Sequence, residues 1–155
     1  MRRADREITD PGVIEEMLAG GKFATVAMCR ADEPYVVTLS YGYDSAGRSL
    51  YFHCAKDGLK SEFISANPRV CATIIQDLGY VQKQCKHHYR SLVIRGEIEL
   101  VEGDDDRWKG LDAMIEQLEE DPGPVKADMR AKTVAFGAAL VWRLHIDEVS
   151  CKEGT

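Results

Sequence analysis

The sequence lacks a long hydrophobic run. No apolar stretch approaches the roughly 18 residues that a membrane-spanning helix needs, and no lysine- or arginine-rich segment is present. The net charge of −6 also excludes a general binder of nucleic acids or acidic membranes, because neutralising phosphate requires a basic surface. The charged segment from Met1 to Glu7 leads into a predicted helix without an apolar region. We therefore expect no signal peptide and a cytoplasmic location.

The five cysteines are odd in number and dispersed, and they form no C-x-x-C pair. This pattern excludes a disulfide framework, and we expect reduced thiols that act mainly as small hydrophobic residues. Cys85, His87 and His88 have a spacing that can chelate a metal ion. Because no fourth ligand is evident, we predict no metal site.

Motifs of self-sufficient enzymes are absent as well. The sequence contains no G-x-S-x-G, H-E-x-x-H, P-loop or G-x-G-x-x-G pattern. Its densest carboxylate cluster, at 104–106, is interpreted as the acidic start of a helix rather than a catalytic pair. If the protein is an enzyme, we expect a cofactor to supply the reactive chemistry.

The 155 residues, 45% of them apolar, indicate one globular domain over 1–155. β-Branched and aromatic runs predict six strands, at 23–29, 35–43, 49–54, 70–75, 89–101 and 138–146. Helical spacing predicts four helices, after the cap at Thr9-Asp10, at 58–67, from 104 to about 118, and at 125–132. Residues 76–88 are expected to be irregular, and 121–124 to break the third helix. The fold class is mainly β, a β-barrel with peripheral helices.

The most informative segment is 51–60, in which a strand crosses a polar turn and enters a helix with Lys60 near its start. Unpaired backbone N–H groups at a helix start and a neighbouring cation form a compact anion site. Spacing alone slightly favours the simpler interpretation, a strand–turn–helix joint with a surface lysine.

Two further segments are candidates for ligand contacts. Arg90 and Ser91 lie where a loop enters a long strand and could offer a guanidinium and a hydroxyl to one phosphate, or could belong to a solvated edge strand. Residues 36–41 alternate between small polar and apolar side chains, which suits the edge of a flat ring system. By spacing alone, an ordinary barrel wall is the better interpretation of 36–41.

The order of four segments, at 33–44, 50–60, 67–71 and 89–96, resembles the pyridoxamine-phosphate-oxidase-like split-barrel superfamily. Within it, the better match is to the nitroimidazole-resistance (Nim-type) flavoproteins, whose form Tyr-Phe-His-Cys-Ala-x-x-Gly-x-Lys residues 51–60 share. The likeness runs from about Ile8 to Val101 and resumes in the last strand. Leu59 stands where the pyridoxamine-phosphate oxidases proper have arginine, which argues against vitamin B6 oxidation.

This resemblance implies a six-stranded FMN-binding split barrel that forms a homodimer, with FMN at the subunit interface. Carried over by position, it implies that the isoalloxazine ring is lined by Val37, Thr38, Leu39, Ser40 and Tyr41. It further implies that the ring and ribityl chain are bordered by His53, Cys54 and Ala55. Lys60 would bind the phosphate, Arg90 or Ser91 would lie near the phosphate or ribityl end, and Trp142 would pack near the flavin.

The implied activity is an FMN-dependent oxidoreductase that passes electrons from NADH or NADPH to a small organic acceptor such as a nitroimidazole. His53 is the candidate catalytic residue, as a donor to the acceptor or flavin, although a structural strand histidine is equally consistent with the pattern. Two alternatives remain on the same barrel. One is a flavin-binding sensor or carrier without turnover, and the other is a haem binder that uses His53, His87, His88 or His145.

Overall fold

The structure, a computed structural model, describes residues 4–55, 58–132 and 139–154. Its strands are β1 (Glu7–Ile8), β2 (Phe23–Arg30), β3 (Glu33–Ser40), β4 (Gly42–Asp44), β5 (Ser49–Ala55), β6 (Arg69–Val81), β7 (Lys86–Leu100) and β8 (Ala139–Gly154). Its helices are a short 3-10 turn (Ala4–Arg6), α1 (Pro11–Gly20), α2 (Leu59–Ala66), α3 (Asp104–Leu118) and α4 (Pro122–Ala131). None of these helices has the length and apolar character needed to cross a membrane.

The strands form one antiparallel sheet in the order β3-β2-β6-β7-β8-β5-β4, with β1 beside β8. The inner face of this curved sheet buries a single large core, to which the strands contribute residues such as Val26, Phe52, Leu92 and Leu144. A smaller cluster lies between β5, β8 and α3. The prediction of a mainly β fold with peripheral helices is therefore confirmed.

The sheet is not closed into a complete barrel. Across the described parts of the chain, β3 and β4 form its two edges and each pairs with one neighbour only. The predicted second strand is divided at Tyr41, whose side chain is fully buried and whose hydroxyl donates to the Leu18 carbonyl oxygen at 2.7 Å. This anchor separates β3 from the short β4, so the one predicted strand supplies both edges of the sheet.

The segment 76–88 was predicted to be irregular, and this prediction is wrong. β6 continues to Val81 and β7 begins at Lys86, so the two strands form a ribbon with a bulge between Asp77 and Tyr80. The hydrophobic pattern of the sequence does not reveal such a ribbon, because its side chains are polar. Backbone hydrogen bonds hold its two strands together. The last strand likewise runs on to Gly154, well beyond Ile146.

Helix boundaries follow from local chemistry. Asp10 caps α1 by accepting from the Gly12 amide at 2.7 Å, and three aspartates in the first turn of α3 complement the positive end of its dipole. Residues 121–124 were expected to break the third helix; α3 ends at Leu118, and Pro122-Gly-Pro124 forms the first turn of α4. Proline suits that position because the first helical N–H groups have no intrahelical partner.

Candidate functional site

The end of β5 presents three of the predicted site residues. His53 is exposed on the outer face, whereas Cys54 is half-buried on the core face. The indole N–H of Trp142, on the neighbouring β8, donates to the Cys54 sulfur at 2.9 Å. The structure thus brings Cys54 and Trp142 into direct contact, and it leaves His53 and Ala55 free to face a ligand.

The start of α2 follows three residues after this strand end. Gly58 is the N-cap and supplies no side-chain cap, so the first-turn amides depend on other acceptors. Lys60 lies in this turn, and next to it the Ser61 hydroxyl oxygen is buried without a hydrogen-bond partner among the described residues. Lys56 and Asp57 lie outside the described residues. A cation and an unsatisfied hydroxyl at a helix start suit a phosphate group, and the Ser61 amide donates to the Gly58 carbonyl oxygen at 3.0 Å.

The predicted ring-lining segment lies on the edge strand β3. Val37 and Leu39 pack against the core, whereas Thr38 faces outward and its hydroxyl lies 3.0 Å from that of Thr25. Ser40 is half-buried. The buried Tyr41 side chain bonds to the protein interior, so only its backbone is left to contact a ligand. The backbone of β3 is unpaired on its outer side in the part of the chain that is described, which leaves amides for ring heteroatoms.

Arg90 and Ser91 do not converge on one point. Adjacent strand residues project from opposite faces of a sheet, so the two side chains diverge. The Arg90 Nε atom lies 3.6 Å from the Glu153 carboxylate. Ser91, only 6% exposed, has a buried hydroxyl without a partner in the described ranges, and the residue lines a groove on the outer face.

A groove of about 440 Å³ surrounds Ser91 on the outer face of the sheet. Its apolar surface comes from Ile75 and Val93, and the Lys152 ammonium lies over the Tyr89 ring, 5.6 Å from the ring centre. Lys152 is not among the residues predicted from the sequence, because the predicted last strand ends at Ile146. The Ser61 hydroxyl is not among them either, because its burial depends on packing that no sequence pattern reports.

The first group, Lys60 and Ser61, and the second group, Ser91 and Lys152, lie at opposite ends of the molecule. α2 contacts the Arg30 end of β2, where the Arg30 guanidinium lies over the Phe63 ring at 4.6 Å. Ser91 pairs with Ile75, which lines a second groove with Phe23 at the other end of β2. An eight-residue strand separates its ends by roughly 23 Å, so one chain does not bring Lys60 and Ser91 to one phosphate.

The histidines and cysteines do not assemble into a metal centre in the structure as described. No group of three or more histidine, cysteine, aspartate or glutamate side chains there could hold a metal ion. Cys85 is exposed in the turn between β6 and β7, and His87 is hydrogen-bonded to Asp77. All five cysteines are free thiols.

Comparison with solved structures identifies the same fold in proteins of low identity. A proposed 5-nitroimidazole antibiotic resistance protein from Bacteroides thetaiotaomicron has 23% identity and a TM-score of 0.79, over 96% of this chain and 86% of that one. The FAD and haem binding protein from Mycobacterium smegmatis has 22% identity and a TM-score of 0.78, over 96% and 73%. The haem storage protein HutZ from Vibrio cholerae has 17% identity and a TM-score of 0.61, over 90% and 92%.

No curated protein matches the sequence significantly. The sequence profile of one family, described as pyridoxamine 5'-phosphate oxidase, matches residues 10–153. This match extends from α1 to the last residues of β8, and it includes both groups of candidate site residues. The chain therefore belongs to the pyridoxamine 5'-phosphate oxidase family.

Proposed function

We propose that the protein is a cytoplasmic FMN-dependent oxidoreductase that transfers electrons from a reduced nicotinamide to a small organic acceptor, such as a nitroimidazole. The observation that carries this proposal is the unsatisfied Ser61 hydroxyl beside Lys60 at the start of α2. A buried hydroxyl without a partner costs about 1–3 kcal/mol, so it suggests a ligand that completes its hydrogen bonding. The nitroimidazole acceptor is suggested by the Bacteroides thetaiotaomicron protein of the same fold.

Lys60, Ser61 and the first-turn amides of α2 would hold the phosphate. The free backbone edge of β3 from Val37 to Tyr41 and the strand end His53–Ala55 would border the ring. His53 has no hydrogen-bond partner within the described residues, which leaves both ring nitrogens available to the flavin or acceptor. When bound, FMN would supply the two-electron redox chemistry that links the nicotinamide to the acceptor.

A homodimer would unite the two groups of site residues. The groove with Ser91 and Lys152 lies far from Lys60 of its own chain, so we assign it to the flavin site of a second copy. The surrounding outer face supports this arrangement, because Phe23, Val36 and Ile75 are 59%, 59% and 65% exposed there. Large apolar side chains clustered on an exposed face are typical of interaction surfaces.

The activity is tested on purified protein loaded with FMN. We expect a yellow protein that oxidises NADH or NADPH faster than free FMN does when a 5-nitroimidazole is present. A protein that takes up no FMN would refute the flavin site. An FMN-loaded protein with no oxidation above the free-FMN rate would instead favour a flavin-binding sensor or carrier.

The dimer is tested with Ile75→Lys, which places a charge in the outer face. We expect this variant to be monomeric in sedimentation analysis and to bind FMN at least tenfold more weakly, because each site loses its second half. Leu100→Lys is the matched control, since Leu100 is 36% exposed at the other end of β7. A wild-type protein that is monomeric at micromolar concentration would contradict the proposal.

Haem binding on the same barrel is the second candidate. The exposed His53, without a polar partner in the described chain, has the free ring nitrogen that an axial ligand needs. The names of the Mycobacterium smegmatis and Vibrio cholerae proteins of this fold both include haem. Titration with haemin distinguishes the candidates, because a His53-dependent Soret band in place of flavin uptake would favour haem.

A further inference from the structure

The ribbon formed by β6 and β7 carries a histidine whose geometry is set by a carboxylate. The His87 Nε2 atom lies 2.9 Å from Asp77 Oδ1, and the same oxygen accepts from the Gly79 amide at 2.8 Å. The Tyr80 ring packs edge-on against the imidazole, with centroids 5.9 Å apart. The imidazole is therefore held by a carboxylate on one edge and an aromatic ring on its side. Of the other histidines, His145 pairs with Glu99, whereas His53 and His88 have no carboxylate partner in the described chain.

His87 belongs to the wall of the groove around Ser91. Positions 87, 89 and 91 alternate along β7, so their side chains project from one face, and His87 and Ser91 are about 13 Å apart along the strand. The unpartnered Ser91 hydroxyl, 94% buried, indicates that this groove receives a ligand. A flat ring lying on Tyr89 and Ile75, between His87 and Ser91, would have the imidazole at one end.

We propose that His87, oriented by Asp77, donates the proton that the acceptor requires during its reduction in this groove. The inference rests on the proposed function, which supplies the reductant. For a nitro compound, R–NO₂ accepts a hydride from reduced flavin and a proton from the imidazolium. One N–O bond breaks, R–NO and water form, and His87 is left as neutral imidazole. Asp77 is the positioning residue, because its carboxylate accepts from Nε2 and leaves Nδ1 as the nitrogen that exchanges the proton.

The surroundings of His87 favour this role. The groups that face it are Asp77 and Tyr80 from β6, Tyr89 on its own strand and Lys152 from β8. The hydrogen bond from His87 holds the pKa of the Asp77 carboxyl below its ordinary value, so Asp77 stays ionised where histidine titrates. The His87 side chain is 50% exposed, which allows the imidazole to regain a proton from water after each turnover.

The test compares wild type, His87→Gln and His88→Gln, all loaded with FMN and reduced anaerobically by NADPH. Flavin reoxidation by a 5-nitroimidazole is followed in a stopped-flow instrument from about pH 5 to pH 8. The wild-type rate should fall with rising pH, because the step consumes a proton. His87→Gln should be about 100-fold slower at the acidic end and should lose this pH dependence. His88→Gln, whose side chain projects from the opposite face of β7, should match wild type.

A second readout does not depend on activity. Carboxyl resonances of the flavin-free protein should show the pKa of Asp77 rising in His87→Gln and unchanged in His88→Gln. A wild-type protein that the acceptor does not reoxidise would refute the proposed function, and this inference with it. Wild-type reoxidation together with an unaltered rate and pH profile in His87→Gln would overturn this inference alone. An Asp77 pKa that stays unchanged in His87→Gln would also overturn it.

Discussion

Lys60→Ala weakens FMN binding by about 10- to 100-fold and leaves riboflavin binding unchanged. A hydrogen bond to a charged group contributes about 1.5–3 kcal/mol, which corresponds to this range of affinity. Riboflavin lacks the phosphate, so its affinity does not depend on the cation beside α2. The measurement is fluorescence titration of the flavin-free protein with each ligand, since bound flavin emission differs from that of free flavin.

Two variants make this result specific. Lys132→Ala removes the lysine that caps the C-terminal end of α4 and pairs with Asp128 at 2.6 Å, and this variant should bind FMN as wild type does. Ser61→Ala should weaken FMN binding several-fold through the loss of one hydroxyl, again without effect on riboflavin. Equal weakening of both ligands by Lys60→Ala would show that the variant perturbs the fold rather than a phosphate contact.

Gly96→Ala destabilises the protein by about 3 kcal/mol or more, because no space exists for a side chain at this position. A Cβ atom at Gly96 would lie 1.7 Å from the His145 carbonyl oxygen, and that oxygen belongs to the backbone of the neighbouring β8. The register of β7 against β8 shifts between Arg95 and Gly96, so the close approach is part of the bulge that bends the sheet. Relieving the clash requires the two longest strands to separate.

The free energy of unfolding is measured by urea denaturation of the flavin-free protein. Thermal unfolding gives a second readout, because a loss of this much unfolding free energy lowers Tm by roughly 10 °C. Gly20→Ala is the matched control. Its Cβ would meet nothing within 4 Å at the end of α1, and alanine there should stabilise the helix by about 0.5–1 kcal/mol. A Gly96→Ala protein with wild-type stability would contradict the β7–β8 packing described above.

Regular elements with a buried face could be predicted from the sequence. In β7 the apolar residues alternate with polar ones, and in α3 apolar residues such as Leu111 and Ile115 recur at helical spacing. These periods of 2 and 3.6 residues indicated which face of each element is buried, because they reflect which side contacts the core. The ribbon beyond Asp77 and the end of β8 were missed for the opposite reason. Their ladders consist of backbone hydrogen bonds, and their side chains carry no hydrophobic period.

For the site, the sequence by itself determined the local structure of residues 51–60: a strand end, a polar turn and a helix that carries Lys60. The role of this segment in binding phosphate came from the family resemblance. The tertiary structure alone decided which side chains are available. It buried Tyr41 and left the hydroxyls of Ser61 and Ser91 without partners among the described residues. The physical reason is that burial, pairing across strands and the position of one sheet end against another depend on distant segments, which local residue patterns do not encode.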